Sequence, residues 1–79
     1  MAASDTRQAH IDLLLFFEQG QRMGNIRSFA GKYDVEWLHT QAESMVGLGF
    51  IARVRGRGNG TIYQTAPLGR EYLAALQAS

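Results

Sequence analysis

Residues 52–76 read ARVRGRGNGTIYQTAPLGREYLAAL, and in this stretch a helical chain breaks into strand, turn, strand and helix. Ile51 to Gly56 and Thr61 to Thr65 have the composition of two short strands, and Gly58-Asn59-Gly60 between them tolerates the positive φ of a hairpin turn. A two-residue loop at Gly58-Asn59 or at Asn59-Gly60 places Val54 and Tyr63 on one face; a three-residue loop is the alternative. In either two-residue register Thr61, Tyr63 and Thr65 face inward with Val54. Arg53, Arg55 and Arg57 then form a comb on the outer face with Ile62 and Gln64, because side chains alternate along a strand. Thr65 can cap, and Pro67 can begin, a closing helix with Leu68, Tyr72 and Leu76 as a stripe at spacing four.

Upstream lies AGKYDVEWLHTQAESMVGLGFI, residues 30–51. A short helix is expected from about Arg27 to Tyr33, a tight turn at Asp34-Val35, and a second helix from Glu36 to Val46. Leu38, Ala42 and Met45 share one face of that second helix; Trp37, Thr40, Gln41 and Ser44 lie away from it. Gly47-Leu48-Gly49 ends it, and Phe50-Ile51 returns to the core.

The first helix starts near Ser4 or Asp5, either of which can cap it, and runs to Gln19 before Gly20. Its apolar residues, Ile11 and Leu13 to Phe17, spread nearly all the way round. Such a helix is covered on two sides, either by its own domain or, at Leu13 and Phe17, by a second subunit. A homodimer through the first and last helices is therefore expected, since a chain of 79 residues has little surface to spare for both sides.

The length allows one domain, and the absence of cysteine removes disulfide and thiolate-metal scaffolds. The longest apolar run, Leu13 to Phe17, is too short to span a bilayer or to form a secretory core, so a complete, cytoplasmic chain with no membrane partner is expected. Net charge is only +1, yet charge is segregated. Asp34, Glu36 and Glu43 are the ionised residues between positions 34 and 51, and Arg53, Arg55, Arg57 and Arg70 follow, interrupted by no acid before Glu71.

The order helix, helix, turn, helix, hairpin, helix, together with the two quoted stretches, resembles the winged helix-turn-helix family over residues 8–77. The resemblance implies a mainly α fold with a small β-hairpin: a three-helix core, a two-stranded wing and a C-terminal helix. Residues 1–79 would form a single domain, with the helix-turn-helix at about 26–47, the wing at about 51–65 and the closing helix at about 66–77. It further implies a transcriptional regulator bound to double-stranded DNA. Trp37, Thr40, Gln41 and Ser44, with His39 nearby, would point at base edges, and Arg53, Arg55, Arg57 and Asn59 of the wing would reach phosphates or a minor groove.

The same residues allow a second class. The reading helix holds no lysine or arginine, so an acidic face bearing Trp37 could instead meet a basic protein partner, with the wing as a solvated edge kept from aggregating by its charges. An enzyme is not expected. His10 and His39 are isolated, no helical pair of histidines offers a metal site, and no cofactor motif is present. Gly56-x-Gly58-x-Gly60 is followed by a strand, whereas a phosphate-binding glycine loop opens a helix.

Overall fold

The computed structural model describes residues 3–56 and 60–78. It is mainly helical, with one antiparallel hairpin. Helix α1 (Ala3–Phe16) tightens into a 3-10 turn (Phe17–Gln19), and a 3-10 segment (Met23–Phe29) leads to α2 (Val35–Gly47). Strands β1 (Ile51–Arg55) and β2 (Ile62–Thr65) precede α3 (Pro67–Ala78). Among the described residues α1 begins at Ala3, so it already includes Ser4 and Asp5, the two expected caps.

The wrapping of α1 explains its unusual pattern. Ala9, Leu13, Leu14 and Phe17 are fully buried and Ile11 nearly so, covered by α2, α3 and the hairpin. Leu13 and Phe17 are therefore core residues of their own domain and are not available to a second subunit; among the described residues of α1, Leu15 is the large apolar side chain left exposed. Phe16 stands edge-on to Phe17 and Phe29, and the ring contacts continue through Tyr33 to Trp37. This ladder of aromatic contacts ties α1 to the N-terminal turn of α2.

The helix expected over 27–33 is displaced and wound more tightly. Asn25 N–H donates to the Arg22 carbonyl and Ala30 N–H to the Arg27 carbonyl, both spacings of three. Gly24 lies inside the segment and Gly31 just beyond it, and glycine costs roughly 1 kcal/mol in an α-helix interior, so a short piece with one buried anchor, Ile26, settles into 3-10 geometry.

Helix α2 ends as the sequence predicts. Phe50 N–H donates to the Met45 carbonyl at 2.9 Å and Gly49 N–H to the Val46 carbonyl at 3.1 Å, the paired bonds of a Schellman close. Gly49 has φ +86°, the left-handed conformation that this close requires.

The hairpin differs most from expectation. Ile51, Ala52 and Arg53 pair with Thr65, Gln64 and Tyr63, but Arg55 pairs with Ile62, so Val54 is an extra residue in a bulge. Arg55↔Ile62 is the outermost pair among the described residues, and the turn expected at Gly58-Asn59-Gly60 falls largely outside them, since 57–59 are not described. Val54, expected to face inward, is 54% exposed. The bulge also breaks the comb: Tyr63 and Ile62 are consecutive and face opposite ways, so their partners Arg53 and Arg55 are assigned to opposite faces. On its other edge β2 is bridged by Gln21, whose N–H and C=O both bond to Tyr63.

Helix α3 keeps Tyr72 and Leu76 of the expected stripe against the core but is rotated so that Gly69 and Leu73, not Leu68, complete its inward face. Gly69 and Leu73 are buried, Tyr72 and Leu76 half-buried, and Leu68 is 48% exposed. The cause is close approach: a Cβ on Gly69 would collide with the Phe50 carbonyl oxygen and sit 2.9 Å from Thr65 Cγ2. Thr65 does not spend its hydroxyl on capping this helix. It is buried and donates to the Leu14 carbonyl at 2.6 Å, pinning the hairpin base to α1.

Candidate nucleic-acid and partner surfaces

Two surfaces carry the residues singled out in the sequence: the outer side of α2 and the hairpin. In α2 the Asp34 carboxylate caps the helix, accepting from Trp37 N–H at 3.3 Å. The apolar face Leu38, Ala42 and Met45 is buried. Glu36, His39, Thr40, Glu43 and Ser44 are exposed. His39 Nε2 lies 3.7 Å from the Glu43 carboxylate one turn on, and Thr40 returns its hydroxyl to the Glu36 carbonyl at 3.1 Å.

Trp37 and Gln41 are only half exposed, and both have internal partners. The indole of Trp37 packs against the core, with its ring centroid 6.1 Å from that of Tyr33. Gln41 Oε1 lies 2.8 Å from His10 Nε2, and His10 Nδ1 lies 2.8 Å from the Tyr72 hydroxyl. An amide oxygen only accepts, so Nε2 donates to Gln41, and Nδ1 shares a hydrogen bond with the Tyr72 hydroxyl. Tyr72 in turn stacks on Phe50, with centroids 4.5 Å apart. His10 thus joins α1 to α2 and α3. In the sequence His10 looks isolated, because its partners Gln41 and Tyr72 lie 31 and 62 residues away and leave no local pattern.

On the hairpin, Arg53 and Arg55 are exposed. Arg53 holds its guanidinium 5.9 Å from the Tyr63 ring centroid, a cation–π contact. Arg57 and Asn59 lie outside the described residues.

Of the other basic residues, Lys32 is committed to a carboxylate. Its Nζ lies 2.9 Å from Asp12 Oδ2, which also accepts from the Tyr33 hydroxyl at 2.7 Å, while Gln8 donates to Oδ1 at 3.1 Å. Burial pushes the Asp12 pKa up, but the hydrogen bonds from Lys32, Tyr33 and Gln8 and the Lys32 charge outweigh it and hold the carboxyl below its ordinary range. Tyr33 is pushed up to about 12 by burial, by its bond to Asp12 and by the charges of Asp12 and Asp5.

Beside α2 an open groove of about 540 Å³ separates it from the 3-10 segment. Met23, Ile26 and Val35 supply apolar surface, and Arg27, Glu36 and His39 are its charged or ionisable lining. Among the described residues no group of three or more His, Cys, Asp or Glu could hold a metal ion, and no helix is long and apolar enough to cross a membrane. Comparison with family models, with curated proteins and with solved structures gives no match.

Proposed function

We propose that the chain is a winged helix-turn-helix DNA-binding regulator in which the hairpin, acting as the wing, supplies most of the affinity. The observation that carries this reading is the hairpin itself, bulged, exposed at Arg53 and Arg55, and set between α2 and α3 in the chain order of that family. Arginine suits phosphate and narrow minor grooves, where the negative potential is deep. Helix α2 contributes little attraction. Asp34, Glu36 and Glu43 approach phosphates with like charge, and Gln41 is held by His10, which leaves His39, Thr40 and Ser44 as the exposed polar residues of the expected reading set.

The test is the affinity for random-sequence duplex DNA at several salt concentrations. A log-affinity against log-salt slope of about −0.9 for each phosphate neutralised is expected. Binding that ignores salt, or no binding at low ionic strength, rejects the reading.

The acidic character of α2 favours a second reading, a protein-binding module whose groove and α2 face meet a basic partner. Such a module binds no DNA at low salt, so the same titration separates the two.

A further inference from the structure

The bulge in β1 turns an apolar side chain out to solvent. Val54 is 54% exposed, with Arg53 before it and the exposed Arg55 after it. A bulge that re-aims a side chain at a strand edge is a specific feature of the fold, and a bare valine between two arginines is a basic–apolar–basic segment waiting for a complement. The groove beside α2 has that complement. Met23, Ile26 and Val35 give it apolar surface, Glu36 lines it, and α2 with its cap carries Asp34, Glu36 and Glu43 with no lysine or arginine.

We propose that this groove receives the Arg53–Val54–Arg55 segment of a second copy of the chain. Val54 lies on the apolar surface and Arg55 meets Glu36. Arg27, also in the groove, opposes the incoming arginines and limits the affinity. Hairpin and groove are different surfaces, so the contact is heterologous: each copy offers one of each, and association continues into open chains instead of closing as a two-fold pair. A three-residue segment buries far less than the roughly 1,200 Å² of a stable interface, so the contact is weak and exchanges rapidly. The inference does not depend on the DNA reading, and its assay contains no DNA.

Sedimentation of the full chain from about 10 μM to about 1 mM, the range suited to a weak contact, is expected to show a mass that climbs with concentration and falls with added salt. Glu36→Arg and Arg55→Glu change exposed residues and leave melting unaltered. Glu36→Arg gives a monomer, since only like charges then meet across the contact; Arg55→Glu faces Glu36 but also Arg27, so it weakens association without abolishing it. Mixed in equal amounts they associate again, because each hairpin now matches the other variant's groove. Arg27→Ala strengthens association several-fold. Amide shifts in the unaltered chain should move with concentration at Val54 and Arg55 and at Ile26, Val35 and Glu36 together. A parent that stays monomeric throughout, single variants that associate like the parent, a mixture that stays monomeric, or shifts centred instead on Leu15, Leu48 or Leu68 overturns the proposal.

Discussion

Asp12 shows how one residue can tie two segments and set a pH limit. Its folded pKa lies below the ordinary value of 3.8, so its charged form favours the folded state above that value, and the benefit is lost as pH falls through the folded pKa. Tyr33 has the opposite sign. Its pKa is raised from 10.0 to about 12, so its contribution is complete below pH 10 and is lost as pH climbs toward 12. Melting temperature against pH should therefore fall off at both ends, and Asp12→Asn should flatten the acid limb. Gly69 sets a steric limit of a different kind. Gly69→Ala drives a methyl into the Phe50 carbonyl, which overpacking places at about 1 to 3 kcal/mol or more. Thermal melting should drop by roughly 4 to 8 °C per kcal/mol in a domain of this size.

An element is legible in the sequence where one local pattern determines it, and illegible where a long-range contact does. The buried face of α2 follows from Leu38, Ala42 and Met45 at helical spacing, and its end from the glycines. The bulge does not, because nothing in Arg-Val-Arg distinguishes a regular strand from one that skips a residue; the register follows from Thr65 on Leu14 and Tyr63 on Gln21. Likewise the inward side of α3 is chosen by Gly69 against Phe50, which no periodicity in α3 contains. The expected site is affected in the same way. Gln41 looks like an exposed reader from its spacing, but His10 claims it from 31 residues away. Gln41→Ala should cost on the order of 1 kcal/mol of stability through the lost bond, and leave preference across a randomised duplex library unchanged. The broken comb makes a second prediction at this scale. Arg55→Gln should reduce the salt slope of duplex binding by about 0.9, one full contact. Arg53→Gln should reduce it less, since that guanidinium is held over Tyr63. Equal losses from the two would show that the hairpin presents both to one backbone.

Across the whole molecule the net charge of +1 is too small for long-range steering, so any polyanion must be held by local charge against the repulsion of α2. The size of that repulsion can be bounded. Two unit charges about 10 Å apart in water interact by about 0.4 kcal/mol, roughly a factor of two in affinity, and the Debye length at 0.1 M salt is about the same distance. Glu36 and Glu43 are exposed, and neither caps α2, so both can be neutralised without touching the core. If the wing grips DNA with α2 turned toward the duplex, Glu36→Gln with Glu43→Gln should raise duplex affinity about fourfold at low salt, with the gain fading as salt is added. A protein-binding module predicts the reverse: the double variant loses a basic partner and acquires no affinity for DNA. Fluorescence anisotropy with a labelled random duplex, at low micromolar protein and salt on both sides of 0.1 M, measures the difference. A gain that persists at high salt would mean that the substitutions act through structure instead of charge, and an unchanged affinity at every salt would place α2 away from the duplex.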